Sequence, residues 1–178
     1  MIKVAIFGGS FDPPHFGHKI ITKSALDTLD IDKLIVVPAY LNPFKTTSFA
    51  SSNKRLDWCK EVFKDNNKVL VSDFEVVNKN SYSSNTIEYF KNIYDVKYLI
   101  IGADNLLSLD KWHKFEWINN NITWVIVSRD GINIKNNPVK NWIKLDVEAN
   151  ISSTLIRDKK IFNSVDKEIK DDIKRIYS

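Results

Sequence analysis

Two histidines in a short segment rich in glycine and proline are the residues best placed to do chemistry. His15 and His18 follow Asp12 within residues 8–18, which read GGSFDPPHFGH. Adjacent glycines let the backbone approach a ligand, and imidazole donors beside the positive end of a helix favour bound phosphate. We therefore predict a phosphate-binding loop. The alternatives are a metal site made by Asp12, His15 and His18, and a polar loop without a ligand.

Two familiar phosphate-binding motifs are absent from the sequence. It has no GxxxxGK[ST] segment, and Gly8 and Gly9 do not extend into GxGxxG. A P-loop kinase and a dinucleotide-dependent dehydrogenase are therefore disfavoured.

The elements around the loop predict a parallel sheet. Residues 3–7 form a near-continuous apolar run, which is typical of a strand buried on both faces, and residues 33–37, 68–72, 98–101 and 123–127 are also predicted to be strands. Residues 142–147 are a candidate sixth strand. Helical spacing appears at residues 17–29, 52–64 and 84–94, and short helices are predicted at 153–161 and 165–177. The asparagine runs at 119–121 and 136–137 are predicted to be turns. This alternation indicates an α/β fold with a doubly wound parallel sheet, whose ligands bind beyond the carboxyl ends of the strands.

Composition limits the class of protein. The 178 residues, 43% of them hydrophobic, suffice for one domain with a core, spanning residues 1–178 with a helical portion from about 153. No apolar run has the length of a membrane helix, and one cysteine, Cys59, excludes an internal disulfide, so we expect a cytoplasmic protein without a membrane partner. The net charge of +4 comes from scattered lysines, which indicate either a solubilising surface or a cleft for anionic small molecules rather than a nucleic-acid stripe.

Two motifs far apart in the chain resemble the nucleotidyltransferase superfamily. Residues 9–18 match its GxFDPxHxGH pattern, and residues 151–157, ISSTLIR, resemble its ISSTxIR segment. Three more segments resemble the nicotinate-nucleotide adenylyltransferase branch: residues 81–87, SYSSNTI; residues 101–106, IGADNL, followed by Trp112; and residues 128–131, SRDG, in which Asp130 replaces the proline of an RPG turn. The resemblance covers nearly the whole chain and implies a single-domain, Rossmann-like nucleotidyltransferase fold.

The resemblance also implies a reaction and a set of roles. The reaction is adenylyl transfer from ATP to nicotinate mononucleotide, which gives nicotinate adenine dinucleotide (deamido-NAD) and pyrophosphate in NAD biosynthesis. Mg²⁺ is expected as the ion bound mainly through ATP, with no protein ligand named for it. The implied catalytic residues are His15, His18 and Arg157. The implied ATP-binding residues are Gly8, Gly9, Ser10, Phe11, Gly102, Asp104, Ser153 and Thr154, and those for nicotinate mononucleotide are Lys45, Thr86 and Trp112.

Within this assignment, Asp104 is expected to bind the adenosine ribose, with a helix N-cap as its alternative. Trp112 is expected to stack on the pyridine ring. Residues 42–45 read NPFK where the branch often has PPHK, so Lys45 is retained and the neighbouring histidine is lost. Other acceptors, nicotinamide mononucleotide or phosphopantetheine, are alternatives of the same class. A non-catalytic nucleotide or RNA binder is the alternative of another class, and a homo-oligomer is compatible with the sequence.

Overall fold

The computed structural model describes residues 1–128, 134, 137–148 and 150–178. In chain order, its strands and α-helices are β1 (Lys3–Gly9), α1 (Phe16–Thr28), β2 (Lys33–Pro38), α2 (Ser52–Phe63), β3 (Val69–Val71), α3 (Phe74–Val77), α4 (Ser83–Lys91), β4 (Asp95–Gly102), α5 (Phe115–Asn121), β5 (Thr123–Ser128), β6 (Trp142–Asp146), α6 (Ser153–Lys159) and α7 (Lys167–Tyr177). Two 3₁₀ segments, Ala103–Lys111 and Phe162–Ser164, complete the described elements.

The described strands form one parallel sheet in the order β3-β2-β1-β4-β5-β6. Successive strands are added outward from β1 to β3 on one side of the sheet and outward from β4 to β6 on the other, so the strand order reverses between β1 and β4. Connections on opposite faces leave a crevice beyond the carboxyl ends of such a pair, which is where ligands bind in open α/β sheets. The predicted doubly wound α/β fold is confirmed.

Both faces of the sheet are buried, because successive side chains of a strand point to opposite sides. Ala5 and Phe7 belong to the core cluster shared with α1, α2, α6 and α7, whereas Val4 and Ile6 belong to the cluster shared with α4, α5 and the first 3₁₀ segment. This two-sided burial explains why the strand sequences read as continuous apolar runs instead of alternating patterns.

The structure differs from the sequence-based expectation in several stretches. Asn119, Asn120 and Asn121, predicted as a turn, lie in α5, so that prediction was wrong. The side-chain amides of Asn120 and Asn121 donate to the carbonyls of Glu116 and Trp117 one turn earlier, at 2.7 and 2.8 Å. These bonds and the burial of Ile118 in the core overcome the weak helix propensity of asparagine. The 3₁₀ segment after β4 and the short helix α3 were not predicted from the sequence either.

β1 is longer than predicted. Gly8 and Gly9 continue the strand and pair with Val37 and Pro38 of β2, so the loop begins at Ser10. Among the described residues, no helix has both the length and the apolar character needed to cross a membrane.

Candidate active site

The two histidines of the loop cap helix α1. His15 is the N-cap residue, and its Nδ1 accepts a hydrogen bond from the Gly17 N–H at 3.1 Å. In return, the His15 N–H donates to Nδ1 of His18 at 3.1 Å, and the two rings stack with centroids 3.8 Å apart. An Nδ1 that accepts a backbone hydrogen bond carries no proton. The proton of each neutral ring therefore sits on Nε2, which makes Nε2 a donor.

Gly17 separates the histidines because a side chain does not fit there. A Cβ on this residue would lie 2.8 Å from Cε1 of the His15 ring and 3.1 Å from the Ile151 side chain. The glycine thus lets helix α1 begin directly against the cap and against the segment that leads into α6. This packing gives a physical reason for the spacing of the HFGH segment.

The C-terminal motif lies against the same loop. Ser152 is the N-cap of α6 and accepts from the Leu155 N–H at 3.1 Å, while the Ser153 hydroxyl donates to the Pro13 carbonyl at 2.7 Å. Arg157 Nη1 donates to the Asp12 carbonyl, and its Nη2 lies 3.3 Å from Thr154 Oγ1. The structure therefore brings together the two motifs that the sequence separates by most of its length.

Most of the predicted residues line two adjoining cavities. The larger, of about 540 Å³, lies beyond the ends of β1 and β4. Its lining includes the predicted residues Gly8, Gly9, Ser10, His18, Lys45, Gly102, Asp104 and Trp112. The smaller, of about 300 Å³, is lined among others by Ser10, Lys45, Thr154 and Arg157. Ser10, Asn42 and Lys45 line both, so the two cavities share part of their walls.

Four predicted residues do not line either cavity in the structure. Phe11 is 1% exposed and packs in the core, with its ring 4.7 Å from that of His18. His15 is buried behind His18, and the Ser153 hydroxyl is directed to Pro13. Thr86 is 1% exposed, and its hydroxyl donates to Glu75 at 2.6 Å. The ligand roles assigned to these residues stay predictions, and their observed contacts support the shape of the site.

The smaller cavity is basic and is supported by a buried arginine that the sequence did not reveal. Arg55 is 1% exposed, and its guanidinium donates to the carbonyls of Ser10, Ala39, Tyr40 and Ala50 at 2.6 to 3.2 Å. Burial lowers the pKa of Arg55, but an arginine remains charged. The hydrogen bonds of Arg55 hold the loops that follow β1 and β2 in place. Its positive charge adds to those of Lys45 and Arg157, which favour binding of an anion in the smaller cavity.

Aromatic and acidic groups line the far end of the larger cavity. Trp112 packs edge-to-face on the core residue Trp124, with centroids 6.0 Å apart, and within the described part of the chain its buried indole N–H has no hydrogen-bond partner. His113 stacks on Tyr82 with centroids 4.6 Å apart. His113 is exposed, as expected, and also shares a 2.9 Å hydrogen bond with Ser84.

Glu75 is a second functional candidate that sequence reasoning missed. Its carboxyl is 6% exposed and lies in the wall of the larger cavity. Burial raises the pKa of Glu75 to about 7, against the smaller opposing effects of the Thr86 hydrogen bond and the Arg55 charge. A carboxyl that titrates near neutrality beside a cavity is a candidate for contact with a ligand.

Asp104 is exposed in the first turn of the 3₁₀ segment and lines the larger cavity. The N-cap of that segment is Gly102, so the helix-cap alternative for Asp104 was wrong. The predicted RPG-like turn at residues 129–131 lies outside the described residues.

The alternative metal site finds no support in the donor geometry. The described residues contain no group of three or more His, Cys, Asp or Glu side chains arranged to hold a metal ion. The Asp12 carboxylate instead accepts from the Phe49 and Ala50 N–H groups at 2.9 and 3.1 Å. The residues thus do not fit a resident metal cage at this position.

Comparisons with known proteins agree with this site. The model of the cytidylyltransferase-like family matches residues 6–159. A protein of Sulfurovum sp. named as a probable nicotinate-nucleotide adenylyltransferase is 52% identical over 174 residues, covering 97% of this chain and 93% of that protein. One of the same name from Campylobacter fetus is 44% identical over 179 residues, covering 99% and 97%.

Solved structures match in fold. The Plasmodium falciparum nicotinic acid mononucleotide adenylyltransferase complexed with NaAD superposes with a TM-score of 0.78 at 17% identity, covering 98% of this chain and 96% of that one. The same enzyme complexed with APC gives a TM-score of 0.71 with the same identity and coverage. At this identity the likeness shows the fold alone.

The chain therefore belongs to the cytidylyltransferase-like family of nucleotidyltransferases. Within that family, its relatives over nearly the full length are the probable nicotinate-nucleotide adenylyltransferases, which confirms the branch indicated by the motifs.

Proposed function

We propose that the protein is the enzyme that transfers the adenylyl group of ATP to nicotinate mononucleotide, giving nicotinate adenine dinucleotide and pyrophosphate. The observation that carries this proposal is the adjacency of the two cavities, which share Ser10 and Lys45: the smaller is lined by Arg157 and the larger by Trp112. A site with anion-binding groups at one end and an aromatic surface at the other suits a triphosphate and a pyridine nucleotide held side by side. The full-length relatives carry the name of the same activity.

The chemical step needs positioning more than activation. A phosphate oxygen of the acceptor attacks the α-phosphorus of ATP, the bond from that phosphorus to the bridging oxygen of the β-phosphate breaks, and pyrophosphate leaves with the electron pair. The nucleophile is already an anion, so no side-chain base is required to remove a proton. Holding both reactants in line supplies about 7–11 kcal/mol in well-aligned systems.

The described residues divide this work by position. His18 lines the cavity at the end of β1 with a donor on Nε2, and we assign it to the α-phosphate, where charge develops. Arg157 lines the smaller, basic cavity and is assigned to the departing pyrophosphate. His15 acts through His18, because it lies behind that ring and fixes its orientation.

The nucleosides occupy the larger cavity in this proposal. Asp104, exposed beside Gly102 at the end of β4, accepts from the ribose hydroxyls of ATP, as acidic residues do in related dinucleotide folds. Trp112 packs on the pyridine ring and offers flat apolar area at low cost in rotamer entropy. Mg²⁺ enters with ATP as part of the substrate, and no step is assigned to protein ligands of the ion.

One assay separates the candidate functions. The protein is mixed with ATP, Mg²⁺ and one acceptor, either nicotinate mononucleotide, nicotinamide mononucleotide or phosphopantetheine, and released pyrophosphate is measured. We expect release with nicotinate mononucleotide in excess over both others. Faster release with either competitor would reassign the acceptor, and no release with any of them, together with salt-dependent RNA binding, would favour the non-catalytic alternative.

A further inference from the structure

The last turn of the chain reaches the phosphate-binding loop. Tyr177, the penultimate residue, is 9% exposed at the end of α7, and its hydroxyl donates to Oδ1 of Asp12. The helix is anchored in the core by Ile169 and Ile173, so the position of Tyr177 is set by packing. Burial and, secondarily, the Asp12 hydrogen bond raise the pKa of Tyr177. The hydroxyl therefore stays protonated and remains a donor.

Asp12 connects Tyr177 to two other parts of the site. Its buried carboxylate accepts from the N–H groups of Phe49 and Ala50, and its carbonyl accepts from Arg157. A buried carboxylate is stable only when its oxygens are well supplied with donors. Removal of the Tyr177 hydroxyl would leave Oδ1 with the 3.1 Å bond from Ala50 as its described contact.

Phe49 provides a second connection between the same residues. Its ring lies 6.3 Å from the ring of Tyr177, centroid to centroid, and the guanidinium carbon of Arg157 lies 4.3 Å from the centroid of Phe49. The guanidinium is therefore held by the Asp12 carbonyl and by the face of the Phe49 ring, and Tyr177 contacts the side chains of these same two residues.

We propose that Tyr177 is a positioning residue that holds the Asp12 carboxylate and Phe49, and through them orients Arg157 toward the triphosphate. This inference rests on the proposed function, because it assigns Arg157 to phosphate. Tyr177 itself touches no reacting atom. Its effect is confined to the geometry of the smaller cavity, which Asp12, Phe49 and Arg157 line and Trp112 does not.

The test compares Tyr177→Phe with Ile173→Val, which loses a methyl group in the fully buried core of the same helix. We expect Tyr177→Phe to lower kcat/KM for ATP by about tenfold to hundredfold, the effect of a small misplacement at a distance. The KM for nicotinate mononucleotide should stay within about twofold of that of the parent protein, since ATP-side positioning alone is disturbed. Ile173→Val should change neither parameter by more than about twofold.

The interpretation does not depend on how much of the variant folds. KM is independent of the folded fraction, so a parental KM for ATP with a reduced rate alone would overturn the proposal in favour of simple destabilisation. An equal effect of Ile173→Val would overturn it as well. In an Asp12→Asn background, Tyr177→Phe should add no further loss, and full additivity would contradict the coupling.

A readout without turnover separates this inference from the proposed reaction. Calorimetric titration with tripolyphosphate measures the basic cavity alone, and Tyr177→Phe should weaken that binding while Ile173→Val leaves it unchanged. If the parent protein bound tripolyphosphate but made no dinucleotide, the proposed function would fail, and weaker tripolyphosphate binding by Tyr177→Phe would still support the role of Tyr177. Equal tripolyphosphate binding by both variants would refute the role of Tyr177.

Discussion

The isosteric change Glu75→Gln should remove the part of the pH dependence of the free energy of unfolding that comes from ionisation of Glu75. Glu75 is buried in the cavity wall, and its pKa is raised from 4.5 to about 7 because burial disfavours the charged form. The folded protein thus holds this proton more tightly than the unfolded chain. The resulting stabilisation is fully present below about pH 4.5 and is lost as the pH rises through about 7. Glutamine keeps an oxygen that can accept from Thr86 and has no proton to lose.

The magnitude follows from the size of the shift. A change from 4.5 to about 7 corresponds to about 3 kcal/mol of differential free energy once titration is complete. Of this, about 2.5 kcal/mol falls between about pH 5 and about pH 8. The free energy of unfolding of Glu75→Gln should therefore rise relative to that of the parent protein by this amount across that range.

Urea unfolding of both proteins at several pH values measures the difference directly. Groups that titrate equally in the two proteins cancel when one curve is subtracted from the other. A difference that stays constant with pH would refute the reasoning, since it would mean that Glu75 ionises in the folded protein as it does in water. A reversed slope would mean that the partners of the carboxylate outweigh its burial.

The remaining predictions concern the proposed reaction. His18→Asn keeps an acceptor for the His15 N–H but removes the Nε2 donor, so turnover should fall about a hundredfold to a thousandfold while the melting temperature stays near that of the parent protein. His18→Ala, which also removes the acceptor, should lower the melting temperature as well. Near-normal turnover of His18→Asn would contradict a catalytic role for His18. Trp112→Ala should raise KM for nicotinate mononucleotide about tenfold or more and leave KM for ATP unchanged, and equal rises would exclude stacking. Asp104→Ala should weaken the binding of ATP but not of tripolyphosphate in calorimetry, and parallel losses would contradict a ribose contact. Arg157→Lys should lower kcat/KM for ATP about tenfold, because lysine lacks the planar pair of donors, and an unchanged value would contradict the pyrophosphate role.

The fold was largely predictable because its signals are local. The strands β1, β2, β4 and β5 are apolar runs bounded by turn residues, and each was expected within a few residues of its observed position. The segments that were missed depend on tertiary contacts instead. α5 contains a run of asparagines whose local preference is for turns, and only the packing of Ile118 and the bonds to the preceding turn make it helical.

The residues of the site could be predicted where they belong to recognisable sequence motifs. His18, Asp104, Trp112 and Arg157 were identified from motifs, and the structure brings them to the walls of the two cavities. Arg55 in α2 and Glu75 in the short helix α3 were missed, because charged residues are usually at the surface of a protein. Their burial depends on partners that sequence does not display, namely backbone carbonyls for Arg55 and the Thr86 hydroxyl for Glu75.

Because His15 and His18 cap the start of α1 reciprocally, the same pair of rings serves both the stability of that helix and the proposed reaction. His15 and His18 hold the first turn of the helix through their Nδ1 atoms, while the opposite edge of His18 is assigned to the reaction. Serine or aspartate already stands at the N-cap of α2, α3, α6 and α7, whereas placing either at position 15 to strengthen α1 would also remove the ring that stacks on His18. Conversely, any redesign of the acceptor preference must leave these two positions untouched or rebuild the helix start by other means.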